Sequence, residues 1–186
     1  MKRTALVLIL LLFLTGCASA GKEIERGMAL RSRLLSAEGC SFDAAVTADY
    51  GDKVYAFSLF CEGDSKGNLS FSVTEPESIA GITGSITDEG GKLTFDETAL
   101  QFDLMADEHL SPVSAPWILL KTLRSGYLTS ACMEESLLRL TIDDSYDEDA
   151  LQLDIWLDAG DLPLRAEILF DERRILSIDV TNFQIR

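Results

Sequence analysis

From residue 40 to the C-terminus, apolar and polar positions alternate almost without interruption. Cys40, Phe42, Ala44, Val46, Ala48 and Tyr50 alternate with Ser41, Asp43, Ala45, Thr47 and Asp49, the period of two that marks a half-buried strand. Gly51-Asp52 reads as a turn, after which Tyr55, Phe57, Leu59 and Cys61 occupy one face. A second turn over residues 63–67 leads into Leu69, Phe71 and Val73. The run 79–87 carries Gly81 and Gly84, which predict bends or bulges in a curved sheet. Gly90-Gly91 precedes Leu93 and Phe95, and Leu100, Phe102 and Leu104 form the next strand. Later strands are expected over 127–133, 137–143, 151–158, 162–170 and 175–185. Their inner faces read Leu151, Leu153, Ile155, Leu157; Leu162, Leu164, Ala166, Ile168, Phe170; and Leu176, Ile178, Val180. Phe183 and Ile185 fall on the opposite parity, which predicts a bulge at Thr181-Asn182.

Two stretches depart from this period. Over 22–37, Ile24, Met28, Leu34 and Leu35 recur near the helical period among Arg26, Arg31 and Arg33, and Gly39 ends the pattern. Over 112–126, Ser114 stands near a cap, Pro116 in the first turn and Gly126 past the end; Trp117, Leu120 and Leu123 supply an apolar stripe. About eleven short strands in one antiparallel sheet must curl or close. The expected fold is therefore mainly β within an α+β class: an unclosed antiparallel barrel of about eleven strands wrapped on two or more helices, forming one domain over 22–186.

The N-terminus carries a separate signal. Lys2-Arg3 and an apolar run over 5–14 precede Leu14-Thr15-Gly16-Cys17, the layout of a signal peptide too short to cross a membrane. A cysteine directly after Leu-x-Gly resembles the lipobox of bacterial lipoproteins. That resemblance implies a signal peptide over 1–16, a diacylglyceryl group on Cys17 and a tether over 17–21. Acyl chains such as palmitate would then hold the protein on a membrane. The competing expectation is an ordinary signal peptide cut after Ala18 or Ala20. Outside the cell's interior, the outer face of the cytoplasmic membrane is the expected location. The outer membrane stays open, since Ala18 brings no acidic retention signal.

Charge and chemistry narrow the function. Sixteen basic against 31 acidic residues give a net charge of −15, which excludes nucleic acid as a partner and disfavours electrostatic docking on anionic headgroups. With Cys17 assigned to lipid, Cys40, Cys61 and Cys132 leave room for at most one internal disulfide. Cys40 and Cys61 share the apolar parity of adjacent strands. A pairing whose positions sum to 101 sets them opposite each other, within the roughly 7 Å a disulfide needs; a slip to 103 sets Cys61 opposite Phe42. A Cys40–Cys61 disulfide with Cys132 unpaired is the expectation. His109 is the single histidine, which excludes a His cluster for a metal. The acidic run over 143–149 lacks the glycine and spacing of a calcium loop. Trp156 lies on the outward parity of its strand. No cofactor or metal is expected, and no catalytic constellation stands out.

Two stretches resemble the lipoprotein-carrier fold of LolA and LolB. Ser32-Arg33-Leu34 followed by Ser41-Phe42-Asp43-Ala44-Ala45-Val46-Thr47 looks like that family's helix end running into an S-F-x-A-x-[FV]-T strand. Asp161-Leu162-Pro163-Leu164-Arg165, through Asp171 to Val180-Thr181-Asn182-Phe183, is similar to its last two strands. Sporulation and germination lipoproteins also resemble this fold. The likeness implies an N-terminal helix, an open barrel and helices plugging its concave side. The surplus of Phe, Leu and Ile on one face points to a non-enzymatic protein binding an acyl chain or another lipoprotein, with Phe57, Phe71 and Phe102 as candidate ligand contacts. The alternative is a filled core in a module that supports an envelope, sporulation or germination enzyme as a protein partner.

Overall fold

The computed structural model describes residues 20–96, 98–103, 105–106, 109–147 and 150–186. The signal segment expected over 1–16 and Cys17 lie outside the described residues, as does Leu104. The chain opens with α1 (Ala20–Ser36) and then lays down β1 (Gly39–Asp49), β2 (Val54–Asp64), β3 (Leu69–Glu75), β4 (Thr83–Thr87), β5 (Gly90–Phe95) and β6 (Thr98–Phe102). A small ladder of β7 (Met105–Ala106) and β8 (His109–Leu110) leads through a 3-10 turn (Pro112–Ser114) into α2 (Ala115–Ser125). Then come β9 (Tyr127–Glu134), β10 (Leu137–Asp143), β11 (Gln152–Leu157), β12 (Pro163–Phe170) and β13 (Arg173–Ile185).

Eleven strands form one antiparallel sheet in the order β6-β5-β4-β3-β2-β1-β13-β12-β11-β10-β9. It consists of two meanders joined by a single long-range seam, β1 against β13, which pairs Ala44 with Val180 and Val46 with Ile178. Among the described residues, β6 and β9 are the two edges of this sheet. The expected unclosed eleven-stranded sheet on two helices is the observed architecture.

The expected bulge is present. β1 and β13 shift register between Ser41 and Asp43, and Asn182 takes φ 54. The extra residue restores Phe183 to the inner face, where it is buried and stacks on Phe42 at 5.1 Å. Bulges the alternation did not announce lie between Trp156 and Leu157 and between Ile168 and Leu169. The first, with Leu164 as its extra residue, overturns part of the β12 reading; the second has its extra residue, Ile175, in β13. Pro163, Ala166 and Ile168 face inward, whereas Leu164 and Phe170 are exposed. The run expected over 79–87 is strand only from Thr83. Before it the chain makes a turn in which Ile79 N–H donates to Pro76 O and Gly81 N–H to Val73 O, with Gly81 at φ 90.

Both helices lie on the concave face. α2 buries Trp117, Ile118, Leu119, Leu120 and Leu123, and each such side chain contributes roughly 1.5–3 kcal/mol by leaving water. Its Trp117 Nε1 donates to Gly67 O at 3.1 Å. α1 buries Leu30 and Leu34. It approaches β10 at Gly27, where an added Cβ would lie 3.0 Å from a Leu140 methyl. Arg26 of α1 also holds Asp161 in the β11–β12 turn at 2.6 Å.

Candidate functional site

The helices do not fill the concave face evenly. Along β2 the inner positions run from Cys61 and Leu59, both fully buried, through half-buried Phe57 to exposed Tyr55. The same gradient runs across β5 and β6. Gly91 is buried, Leu93 is half-buried, and Phe95 and Leu100 are 58% and 63% exposed. The barrel is solid beneath α2 and open beyond it.

A cavity of about 600 Å³ occupies this open end. Tyr50, just after β1, and Tyr55 and Phe57 of β2 line it together with Val73, Ile79, Ile82 and Leu93. The segment 110–113, Leu-Ser-Pro-Val, closes the side next to α2. This is the volume range of small-ligand pockets. The Tyr50 hydroxyl donates to Leu110 O and so fastens β1 to the segment entering α2. Its ring meets Tyr55 edge-on, with centroids 6.1 Å apart. Burial, and then the neighbouring Tyr55, push the Tyr50 hydroxyl above its ordinary value, so it stays a neutral donor. Asp52 and Lys53 stand exposed at the rim and are the charged members of the lining. Such an arrangement suits a hydrocarbon segment inside with a polar end at the mouth.

The three candidate phenylalanines part company here. Phe57 lines the cavity. Phe71 is only 4% exposed and packs on Gly84, where an added Cβ would stand 2.5 Å from its ring; it is solid core. Phe102 is half-buried with its ring over Gly91, beside a separate hollow at the β5–β6 edge. Sequence periodicity placed all three on one face but held no signal for where α2 stops covering it. Tyr50, Ile82, Leu110 and Val113 were not singled out. Of these, Tyr50 was visible as the last apolar position before the Gly51-Asp52 turn.

The cysteine register is corrected. β1 and β2 pair with positions summing to 103, so Cys61 faces Phe42 and Cys40 faces Gly63. The cause is the turn: Tyr50 N–H donates to Lys53 O at 3.0 Å, making Gly51-Asp52 a two-residue loop with Gly51 at φ 90. The loop fixes the register of the whole hairpin. Cys40 and Cys61 are buried free thiols diagonal to each other on one face, and Cys132 is an exposed free thiol on edge strand β9. Burial pushes both buried thiols up; for Cys61 the neighbouring Asp43 and Cys40 add to it. Such thiols are poor nucleophiles.

A polar network lies on the outer face of β10–β12. Trp156 sits between Arg139 and Arg165, whose guanidinium carbons lie 5.5 and 5.2 Å from the ring centroid. Arg139 Nη2 donates to the buried Asp154 at 2.6 Å, and Thr141 Oγ1 donates to the other carboxylate oxygen at 2.8 Å. Trp156 is thus a structural element of the outer surface, as its parity implied. Among the described residues, no group of three His, Cys, Asp or Glu side chains is placed to hold a metal ion.

No protein-family model matches the chain, and no curated protein matches it. Solved structures do, at low identity. A putative outer membrane lipoprotein-sorting protein domain from Vibrio parahaemolyticus is 8% identical, with a TM-score of 0.48 over 90% of this chain and 94% of that one. A LolA superfamily protein from Nitrosomonas europaea is 8% identical, with a TM-score of 0.45 over 86% and 93%. The Mycobacterium tuberculosis lipoprotein LppX is 8% identical, with a TM-score of 0.42 over 87% and 93%.

Proposed function

We propose that this protein is a non-enzymatic, extracytoplasmic lipoprotein, anchored through Cys17, that binds the acyl chain of a lipid or lipoprotein in the cavity walled by Tyr50, Phe57 and Ile82. The observation that carries the reading is the largely apolar cavity of about 600 Å³ left open at one end of the concave face. An apolar pocket facing water is a standing free-energy cost that an acyl chain removes. The mature chain without its lipid (residues 1–17 removed) should bind a fluorescent fatty-acid analogue. Phe57→Glu should abolish that binding while leaving the fold intact. Absence of probe binding by the parent chain rejects the reading.

A second reading has its own observation. α2 buries five apolar side chains, Trp117, Ile118, Leu119, Leu120 and Leu123, in a solid stretch of the concave face, as a module built to support a protein partner would. Crosslinking of the anchored protein to one envelope protein, together with no probe binding, would establish that reading in place of the first.

A further inference from the structure

Helix α1 carries an apolar stripe that the fold does not use. Its buried flank is Gly27, Leu30 and Leu34. About a quarter-turn away, Ile24, Met28 and Leu35 are 41%, 46% and 53% exposed. They stand at i, i+4 and i+11 and so lie along one flank of the helix. Arg31, at i+7, shares that flank, but its guanidinium is turned onto the carbonyls of Leu123 and Gly126.

We infer that this stripe lies on the membrane and that α1 rests along the bilayer surface. The inference depends on the anchoring of Cys17 proposed above. α1 begins at Ala20, three residues after Cys17, a span of at most about 10 Å. The helix is roughly 25 Å long. Upright, it would bring Ile24 near the interface and leave Leu35 far from it; lying flat, it seats all three side chains at the headgroup–acyl boundary, where amphipathic helices bury their apolar faces. Charge favours the same orientation. α1 holds Lys22, Arg26, Arg31 and Arg33 against Glu23 and Glu25, a surplus of two positive charges in a chain of net −15. The acidic body is repelled by anionic leaflets, whereas α1, by its own charge, is not. The stripe then adds apolar contact to the acyl anchor and fixes the domain's orientation.

The test uses the lipidated full chain reconstituted into phosphatidylcholine vesicles, in a Cys132→Ser background. Ile24→Cys, Met28→Cys, Leu35→Cys and, as a control on β6, Leu100→Cys each carry a bimane label. Labels at 24, 28 and 35 should be quenched by nitroxide-bearing phosphatidylcholine and shielded several-fold from aqueous iodide, while the label at 100 shows the reverse. Vesicle-bound protein whose three stripe labels remain open to iodide overturns the docking and leaves the anchor standing. Labels shielded from both quenchers mean that another protein, such as a second copy, covers the stripe, and also overturn it. Protein that does not float with the vesicles rejects the anchor and the docking together.

Discussion

Arg31 and Arg124 close each other's helices. Arg31 of α1 donates from Nε to Leu123 O at 2.8 Å and from Nη2 to Gly126 O at 2.7 Å, satisfying carbonyls at the end of α2. Arg124 of α2 donates from Nη1 to Leu34 O at 2.8 Å, near the end of α1, and from Nη2 to Ser65 O at 2.7 Å in the β2–β3 turn. Helix C-termini leave carbonyls without intrahelical partners and gather negative partial charge. Each helix here borrows its cation from the other.

Removing either guanidinium should therefore loosen both helices. Arg31→Ala and Arg124→Ala are each expected to lower the unfolding free energy by about 1.5–3 kcal/mol, the range for hydrogen bonds to charged groups. Arg31→Lys should recover only a minor part, since a compact ammonium does not span separate carbonyls as a planar fork does. Denaturant melts of the two single variants and the double variant check this. A double-variant loss equal to the sum of the singles would show that the two caps act independently.

Much of this architecture was legible because burial on one face writes a period of two into each strand. The β1 reading and the Thr181-Asn182 bulge followed from parity alone. What was not legible depends on local geometry that parity does not encode. Leu164 faces outward because the bulge beside Leu157 makes it the extra residue of β12, and Phe170 is exposed because it is the last residue of that strand. The cysteine register depended on one turn: Gly51-Asp52 as a two-residue loop forces a sum of 103, two positions from the expected pairing. The candidate site was half legible. Phe57, Phe71 and Phe102 do lie on the inner face, but parity does not say that Phe57 shares a cavity with the 110–113 segment while Phe71 packs on Gly84.

That difference gives the second prediction. Phe71→Glu buries an unpaired charge against Gly84 in a closed core, which costs many kcal/mol, and should unfold the domain. Phe57→Glu places its charge in a cavity open to water and should shift the melting temperature by only a few degrees. Circular dichroism melts of the two variants decide it. Equal destabilisation would mean that the space beside Phe57 is closed in solution.

The outer network gives the third. Asp154 is buried and accepts from both Arg139 and Thr141. Asp154→Ala should cost about 2–3 kcal/mol, less than breaking a fully buried pair, because Arg139 retains access to water. Asp154→Asn keeps a partner for Thr141 and should cost less. The same variants should leave probe binding unchanged, since the network lies on the opposite face of the sheet from the cavity. Loss of binding in Asp154→Asn would mean that the two faces are coupled.

The fourth prediction concerns the thiols. In the reduced native protein, an aqueous thiol reagent should modify Cys132 rapidly and leave Cys40 and Cys61 untouched until the chain is denatured. Stability should carry the same signature at alkaline pH. Burial holds the Cys61 thiol well above its ordinary value of 9.0, so the unfolded chain releases that proton first. The contribution is complete below about pH 9 and is lost as pH rises beyond it, with a slope of up to about 1.4 kcal/mol per pH unit for each such group. Tyr50, raised from 10.0, adds its own loss only at higher pH. Cys61→Ala should lower stability near neutrality through the volume it removes, yet flatten the fall between about pH 8 and 10. Urea melts across that range separate the two effects. An alkaline limb as steep in Cys61→Ala as in the parent chain would mean that the Cys61 thiol titrates alike in the folded and unfolded states.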